Sequence, residues 1–388
     1  MMISDLSRHA LGVCTAAAML VGCGALRQAP DDTQAPLGAV ETMPQSRADR
    51  APACPQVTGK PTCLALMQSG GVQPACAGSQ CGWAPIDFQT RYNLPISKGS
   101  GEIVAVVDAG DNPNAAGDIA TYRSQFGLGT ASFYKYNQLG QQKNYPSYTG
   151  WSIEIDLDIE MVSATCPNCT IYLVEANTNA SSDLEAAEAE AVKLGASVVS
   201  NGWICYGSIN CVSQKYFDAK GVEYLAAAGD SGSNQVGAPA AFDSVAAIGG
   251  TQLAKSGSKY TETIWSSSSS GCASGIKKPA WQSIIPNSVC SHRLTNDAAA
   301  EAGCSPGVAE YDSLDGGWFG ICGSSVAAPL LAGVFGLAGN ATMQDGGRTF
   351  WRKAHRKHLY DIQGPCAYRQ GHYTTCAGWG SPNGIGAF

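Results

Sequence analysis

The sequence predicts an α/β domain built on a parallel β-sheet with helices on both faces. Between short runs rich in β-branched residues, the segment 182–194 is rich in Ala and Glu, which is typical of a helix, with Ser181 or Ser182 as its N-cap. Strands that alternate with helices pair in parallel, because each helix carries the chain back across the sheet. The predicted strands are 103–107, 170–174, 197–200, 222–227 and 245–248. At 388 residues with 44% hydrophobic content, the chain has enough apolar material for one large core.

The N-terminus has the features of an export signal. An apolar stretch, 10–22, follows Arg8 and His9 and is too short to span a bilayer, so we predict a signal peptide over 1–22. The residues Leu20-Val21-Gly22-Cys23 resemble a bacterial lipobox, which predicts lipidation of Cys23; the alternative is a plain secretory signal with an incidental cysteine. We therefore expect an extracytoplasmic protein, held at the cell envelope by a lipid anchor or secreted.

The next segment, 23–82, is rich in Ala, Pro, Gln, Asp and Gly and has few aromatic residues. It lacks the material for a core of its own, so we predict a low-complexity tether pinned by two cysteine loops. From Trp83 the strand and helix patterns begin, which predicts a single folded domain over 83–388. Only 14% of the residues are charged and the net charge is −7, which argues against nucleic acid or an anionic membrane surface as a partner. Membrane contact is expected only through the N-terminal lipid, and we expect a monomer.

Sixteen cysteines are typical of a protein in an oxidising compartment. Most lie close to another cysteine in the sequence, which predicts local disulfides. The Cys166-Pro-Asn-Cys169 motif also resembles redox and zinc motifs, but the chain has no second such pair at zinc-ribbon spacing, so a structural disulfide is favoured. The predicted pairs are Cys54 with Cys63, Cys76 with Cys81, Cys166 with Cys169, Cys205 with Cys211, Cys272 with Cys290, Cys304 with Cys322, and Cys366 with Cys376.

The acidic segment 153–160 has two interpretations. Its apolar and acidic residues alternate with period two, which favours a strand. In a helix, however, Glu154 and Asp158 are four residues apart and project together, and Trp151, Ile155 and Ile159 lie on one apolar stripe. We prefer the helix, which places two carboxylates side by side.

The segment Gly323-Ser324-Ser325-Val326-Ala327-Ala328-Pro329 precedes an apolar run of small residues, 330–338. This pattern fits a serine nucleophile at the start of a buried helix, although a serine that only caps a helix has the same pattern. A hydroxyl needs a general base before it can attack. The only histidine between Asp108 and Ser325 is His292, in a cysteine-bracketed segment without a helix pattern, so a triad in the order Asp, His, Ser is excluded. The Gly-x-Ser-x-Gly motif of lipases is also absent around Ser325.

Four motifs together resemble the sedolisin family of serine-carboxyl peptidases, which have a subtilisin-like fold and a glutamate in place of the catalytic histidine. The resemblance extends from about Trp83 to the C-terminus and includes the closing segment 380–384. The order of the four motifs along the chain is more specific than any single motif. The motifs are 103–108, 154–158, 228–232 and 323–329.

Carried over to the matching positions, the resemblance implies that Ser325 is the nucleophile and that Glu154 acts as general base and then as general acid. Asp158 would orient Glu154 and share its proton, and Asp230 would complete the oxyanion hole. Since an aspartate can donate a hydrogen bond only when protonated, we expect activity below neutral pH. Asp108 either extends this carboxylate network, as an acidic residue does in relatives, or only forms a turn.

The resemblance also implies a place for an extended peptide substrate. Ser200, Asn201 and Gly202 match the position where relatives pair their main chain with the substrate, so Ser200 and Gly202 are candidate substrate-binding residues. A strand-end turn would give the same residues. Trp203 would then be a pocket wall or part of the core.

Cofactor use and maturation are less clearly implied. Asp361 and Ile362 match the first element of the family's calcium site, but Thr374 stands where a second aspartate is expected, which weakens a site for a hard cation. We expect no required cofactor.

The segment 24–82 is too short and too poor in core residues for the family's large propeptide. The chain is thus expected to be an exported peptidase acting on peptides or proteins; the alternative is a catalytically silent surface binding protein on the same fold.

Overall fold

A computed structural model describes residues 50–57, 60–68 and 81–388. The predicted signal peptide, the lipidation site Cys23 and the first cysteine of the Cys76–Cys81 pair lie outside these residues. In the described part of the chain, no helix is both long enough and apolar enough to cross a lipid bilayer.

The described residues form 21 β-strands and seven α-helices. The strands are β1 (Arg50–Pro52), β2 (Thr62–Cys63), β3 (Leu66–Gln68), β4 (Ile103–Ala109), β5 (Ser132–Asn137), β6 (Thr170–Ala176), β7 (Val198–Asn201), β8 (Trp203–Tyr206), β9 (Glu223–Ala227), β10 (Gly237–Ala238), β11 (Val245–Ser256), β12 (Lys259–Ile264), β13 (Cys272–Lys277), β14 (His292–Leu294), β15 (Ala298–Glu301), β16 (Val308–Asp312), β17 (Gly317–Cys322), β18 (Leu359–Tyr360), β19 (Arg369–Gln370), β20 (Tyr373–Thr374) and β21 (Ser381–Pro382). The helices are α1 (Pro85–Arg91), α2 (Ala115–Phe126), α3 (Ser152–Thr165), α4 (Ser181–Lys193), α5 (Ser324–Ala338), α6 (Arg348–Trp351) and α7 (Lys353–Arg356).

The central sheet has eight strands in the order β12-β11-β9-β7-β4-β6-β5, with β15 pairing with β11. All its pairs are parallel except that of β11 with β12. The five strands that the sequence predicts are β4, β6, β7, β9 and β11. The prediction of a mostly parallel sheet is therefore confirmed. The edge strands β5 and β12 were not predicted, because their side chains alternate between exposed and partly buried positions instead of forming an apolar run.

The two faces of the sheet carry separate apolar clusters, as the alternation of side chains along a strand requires. On β4, Val104 and Val106 pack into the cluster that contains helices α1, α2, α3 and α5. Ala105 and Val107 point to the other face, into the cluster that contains Leu184 of α4. Burying one such valine contributes about 1.5–3 kcal/mol. The sheet therefore has helices on both faces, as predicted.

Helix α3 confirms the helical interpretation of the acidic segment. Every residue from Ser152 to Thr165 is buried, because the helix lies between the sheet and neighbouring helices. An element buried on all sides needs no polar face, so the period-two alternation of its sequence does not indicate a half-exposed strand. The alternation instead places Glu154 and Asp158 on one side and Asp156 and Glu160 on another.

Helix α4 lies where the sequence predicts a helix, but its predicted caps are wrong. Ser181 and Ser182 are its first two residues, and the N-cap is Ala180 in an extended conformation without a side-chain cap. The hydroxyl of Thr178 accepts a hydrogen bond from the N–H of Ala180 at 3.1 Å instead. A polar side chain two residues before the N-cap thus organises the start of the helix.

Part of the predicted tether is built into the domain. Strands β1 and β3 pair with each other, and β3 adds to β17 in a four-stranded sheet with β16. Strand β2 adds to β8 in a second small sheet. The described residues of this segment gain hydrogen bonds and burial by joining the edges of existing strands. Leu64 and Ala65, between β2 and β3, are buried.

The local disulfides are confirmed for all pairs whose two cysteines are described. The Cys166–Cys169 bridge is buried against Gly336 of α5, which agrees with the favoured interpretation as a structural disulfide. The bridges are Cys54–Cys63, Cys166–Cys169, Cys205–Cys211, Cys272–Cys290, Cys304–Cys322 and Cys366–Cys376.

Candidate active site

Three buried carboxyl groups meet where α3 passes the end of β4. Glu154 and Asp158 lie one helical turn apart, and a Cβ atom built on Gly202 would be 2.1 Å from Glu154 Oε1 and 2.9 Å from both carboxyl oxygens of Asp158. Asp108, next to the end of β4, is fully buried. Glu154 Oε1 and both carboxyl oxygens of Asp108 and of Asp158 have no hydrogen-bond partner among the described residues. Only a residue without a side chain fits at position 202 beside these two acids.

Burial makes ionisation of these acids unfavourable. It raises the pKa of Asp108 to about 8. The pKa values of Glu154 and Asp158 are raised well above their ordinary range, first by burial and then by the negative charge of Asp108. The three groups therefore hold protons in common instead of titrating separately. Such a group can accept one proton from a reacting hydroxyl and release it again.

The candidate nucleophile lies in the first turn of α5, as predicted. The N-cap Gly323 has a φ of +124°, a conformation that favours glycine, and the N–H of Ser324 donates to Asp230 Oδ1 at 2.8 Å. Ser324 Oγ accepts a hydrogen bond from the N–H of Gly229 at 2.9 Å. Ser325 itself is buried, and its Oγ has no hydrogen-bond partner within the described chain. Ser324 therefore has a structural role, and the free hydroxyl is that of Ser325.

Asp230 follows β9 and lies beside the start of α5. Its N–H donates to the hydroxyl of Tyr206 at 2.6 Å, and its Oδ2 is enclosed without a partner among the described residues. Burial raises its pKa to about 7, although the hydrogen bond from Ser324 acts in the opposite direction. At acidic pH its carboxyl group is protonated and can donate a hydrogen bond from Oδ2.

The predicted substrate-binding residues lie between β7 and β8. Ser200 is buried at the end of β7, and Gly202 separates the two strands beside Glu154. Trp203 is fully buried, and its Nε1 donates to the carbonyl oxygen of Val107 at 3.0 Å, so it belongs to the core. The structure therefore places Gly202 beside the acids and excludes Trp203 as an exposed pocket wall.

The described N-terminal residues enter the same site, which the sequence did not predict. The N–H groups of Leu64 and Ala65 donate to Glu154 Oε2 at 3.1 and 2.7 Å. A Cβ atom built on Gly323 would lie 2.1 Å from the carbonyl oxygen of Leu64 and 3.0 Å from Asp230 Oδ2. A cavity of about 310 Å³ continues beside this segment; its lining includes Arg50, Leu64, Leu66, Tyr206 and Asp230.

A second group of buried acids lies on another side of α3. One carboxyl oxygen from each of Asp118, Asp156 and Asp312 lies within 4.8 Å of the other two. The Nδ2 of Asn112 donates to Asp156 at 2.6 Å, and burial together with Asp312 raises the pKa of Asp156 well above its ordinary range. The alternating acids of 153–160 could have indicated this second group, had the helix been recognised as buried on all sides.

The residues expected at a calcium site are bonded to an arginine. Arg369 donates to Asp361 Oδ1 at 3.0 Å and to the carbonyl oxygen of Ile362 at 2.5 Å, and the same guanidinium bonds the carbonyl oxygen of Gly371 at 3.3 Å. These oxygens already accept hydrogen bonds from a cationic side chain, and Thr374 supplies no carboxylate. The residues present therefore do not fit a calcium ion.

Comparisons with known proteins show a likeness in sequence and in fold. No protein-family model matches the chain. Kumamolisin from Bacillus sp. (strain MN-32) is 29% identical over 284 residues, which cover 64% of this chain and 51% of kumamolisin; the match thus spans about half the length of that relative.

Among solved structures, Pseudomonas sedolisin, a serine-carboxyl proteinase solved with two molecules of pseudo-iodotyrostatin, has a TM-score of 0.66 at 20% identity and covers 78% of this chain and 96% of its own. A psychrophilic protease, S41, has a TM-score of 0.53 at 17% identity and covers 79% and 99%. These structural matches support the same fold. The sequence likeness to kumamolisin and the fold shared with sedolisin confirm the chain's similarity to the sedolisin family.

Proposed function

We propose that the chain is an exported, acid-active serine-carboxyl peptidase that hydrolyses peptide bonds through an acyl-enzyme on Ser325. The observation that carries this proposal is the grouping of Glu154, Asp158 and Asp108 in one buried cluster, next to a segment that also contacts Gly323 and Asp230. The likeness to kumamolisin supports the same class of reaction.

In the proposed reaction, Ser325 Oγ attacks the carbonyl carbon of the substrate while its proton passes to Glu154. The carbonyl oxygen gains negative charge, and the protonated Asp230 together with N–H groups at the start of α5 stabilises it. When the C–N bond breaks, Glu154 returns the proton to the leaving amine. Water then attacks the acyl-enzyme, with Glu154 again accepting the proton, and releases Ser325 with its hydroxyl restored.

The other acids adjust this proton transfer. Asp158 shares the proton of Glu154 and fixes its orientation, and Asp108 raises the pKa of both. Because Asp230 loses its proton near pH 7, the oxyanion loses a donor at neutral and higher pH. We therefore expect the rate to fall as the pH rises from 5 to 8. Gly202 and Ser200 lie where the main chain of an extended substrate would pair.

Digestion of denatured protein between pH 3 and 6 tests the proposal. Ser325→Ala and Glu154→Gln should each reduce the rate by about a thousandfold or more, since the first removes the group that forms the acyl bond and the second removes the group that transfers the proton. Glu160→Gln is the matched control, because Glu160 is buried in the same helix and accepts a hydrogen bond from the N–H of Tyr311. Equal digestion by the parent, Ser325→Ala and Glu154→Gln would refute the proposal. A parent protein that binds peptides without turnover would identify the silent binding protein.

Export and the cellular context are part of the same proposal. The six disulfides of the described residues would persist only in an oxidising compartment. We propose lipidation at Cys23, or secretion without it, with the chain acting as a monomer on peptides and proteins and needing no metal ion. Incorporation of a labelled fatty acid that is lost in Cys23→Ser would support the anchor, and its absence in the parent would leave secretion.

A further inference from the structure

A disulfide-closed hairpin, described over residues 50–57 and 60–68, lies between strands β8 and β17 beside the candidate catalytic residues, and we call the space that it occupies the groove. Its strand β2 pairs antiparallel with β8, with Thr62 opposite Ile204 and Cys63 opposite Trp203. Its strand β3 pairs antiparallel with β17, with Leu66 opposite Cys322. Strand β8 begins directly after Gly202, and β17 leads directly to Gly323 and α5. The hairpin is thus bound by main-chain pairing on both sides, which is how an extended peptide adds to strand edges.

The peptide bond between Leu64 and Ala65 lies at the acids. The amide N–H of Ala65 donates to Glu154 Oε2 at 2.7 Å, which is the position of the leaving amine in the proposed reaction. The carbonyl oxygen of Leu64 lies beside Gly323 and Asp230, where the oxyanion would form. The side chain of Leu64 is buried in the main apolar cluster. The groove therefore accepts an aliphatic side chain immediately before the bond at the reacting position.

Two features make this arrangement unreactive. Glu154 Oε2 accepts N–H groups from both Leu64 and Ala65, so the segment engages the base that Ser325 needs. Ser325 Oγ has no hydrogen-bond partner in the described chain, which means that the nucleophile and the base are not coupled. The hairpin thus fills the groove and occupies one carboxyl oxygen of the base.

The Cys54–Cys63 disulfide holds the hairpin in this shape. It joins residues nine positions apart, and both sulfur atoms and a carboxyl oxygen of Glu154 lie within 4.8 Å of one another. A closed loop loses less conformational entropy on docking than an open one, so the disulfide strengthens binding in the groove. It also fixes Cys63, the residue directly before Leu64.

We propose that this hairpin, residues 50–57 and 60–68, is an intramolecular inhibitor whose hold on the substrate groove depends on the Cys54–Cys63 disulfide. This inference rests on the proposed peptidase function and adds its regulation and a preference for an aliphatic residue before the cleaved bond. Reduction by an external dithiol, which is itself oxidised to a disulfide as Cys54 and Cys63 become free thiols, releases the hairpin and opens the groove to substrate. The bond between Leu64 and Ala65 stays intact while the hairpin is in place.

The full-length chain tests this with two disulfide variants. Cys54→Ser/Cys63→Ser opens the hairpin, and Cys366→Ser/Cys376→Ser is the matched control, since that bridge joins residues ten positions apart and its cysteines do not line the cavity. Initial hydrolysis of a peptide with Leu before the cleaved bond should be at least about tenfold faster in the first variant than in the parent. The control variant should match the parent.

A second pair of variants covers the case in which a disulfide variant fails to fold. Leu64→Glu places a charge in the apolar pocket and should raise the rate, whereas Val57→Glu, at a side chain that is 41% exposed on the same hairpin, should not. Hydrogen exchange of the Leu64 and Ala65 amides reports docking without any catalysis, and a Ser325→Ala background prevents self-digestion. We expect slow exchange in the parent and fast exchange in Cys54→Ser/Cys63→Ser.

The outcomes separate this inference from the peptidase proposal. Equal hydrolysis rates and equally slow exchange in the parent and in Cys54→Ser/Cys63→Ser would overturn the inference and leave the peptidase intact. If exchange is fast in that variant but neither the parent nor any variant hydrolyses the peptide, the disulfide holds the hairpin in the groove, and the peptidase proposal is refuted. Spontaneous cleavage between Leu64 and Ala65 in the oxidised parent, followed by full activity, would show a substrate instead of an inhibitor and would overturn the inference.

Discussion

Replacing Asp108 by asparagine should make the protein more stable at neutral pH than the parent. Asp108 is fully buried, and burial raises its pKa from 3.8 to about 8. Because the folded state binds this proton more tightly than the unfolded state does, the free energy of unfolding falls as the pH rises from 3.8 to about 8 and then levels off. Asparagine has a similar shape and no proton to lose, so Asp108→Asn lacks this part of the pH dependence.

The magnitude follows from the pKa difference. Each pKa unit corresponds to about 1.4 kcal/mol, so between pH 4 and pH 7 an isolated Asp108 would lower the parent's free energy of unfolding by about 4 kcal/mol. Glu154 and Asp158 are buried beside Asp108 and share protons with it. Asp108 alone therefore contributes less than this value to the pH dependence of the free energy of unfolding. We therefore expect Asp108→Asn to gain about 2–4 kcal/mol over the parent across this interval.

Urea denaturation of both proteins at pH 4, 5, 6 and 7, with disulfides intact, measures this difference. The control is Asp345→Asn, at a side chain that is 50% exposed beside Arg348, where the difference from the parent should vary by less than about 0.5 kcal/mol. If Asp108→Asn and the parent keep a constant difference from pH 4 to pH 7, then Asp108 is not buried as a proton-holding acid, and the reasoning fails.

Three further predictions concern the site and the expected calcium residues. Gly202→Ala should reduce peptide hydrolysis by about tenfold or more, because its Cβ would lie 2.1 Å from Glu154 Oε1; kinetic assays of the purified variant check this. A calcium chelator should leave the melting temperature unchanged, since Arg369 already bonds Asp361 and Ile362. Arg369→Ala should instead destabilise the parent by about 1 kcal/mol, measured by denaturation, because this pair is only partly exposed.

The sequence predicts the central sheet well because its strands are buried on both faces. Such strands contain continuous apolar runs, as in 103–107 of β4 and 171–174 of β6, and need no partner to be recognised. Sequence reasoning fails at the edges of the sheet. The exposed strand β5 has no such run, and it pairs with β6 only because the folded sheet offers an edge.

The candidate site could be predicted to a similar degree and for a similar reason. Glu154 and Asp158 are close in sequence, and the helix brings them together by its own geometry. Asp108, Asp230 and Ser325 follow one another at intervals of 122 and 95 residues, so only the resemblance to a known family connects them before the structure does. The structure adds the distances to Gly202 and Gly323, which no local pattern contains.

The groove-filling hairpin and Arg369 show what the sequence could not supply. The hairpin residues are too few to form a core, and their pairing with β8 and β17 depends on partners 140 to 250 residues away. The spacing of Cys54 and Cys63 predicts a loop but not where it docks. Nothing in the sequence marks Arg369 as a partner of Asp361, and only the fold brings its guanidinium within hydrogen-bond distance of that carboxylate.

The expected preference for acidic pH has its origin in the fold as well as in the site. Burial raises the pKa values of Glu160, Glu223, Glu301 and Glu310 well above their ordinary range, in addition to those of the candidate catalytic acids. Each such group favours the folded state most at low pH and less as the pH rises toward its raised pKa. The same rise in pH also removes the proton from Asp230, whose pKa is about 7. Stability and the proposed activity therefore decline together toward neutral pH, because both depend on carboxyl groups that are buried while protonated.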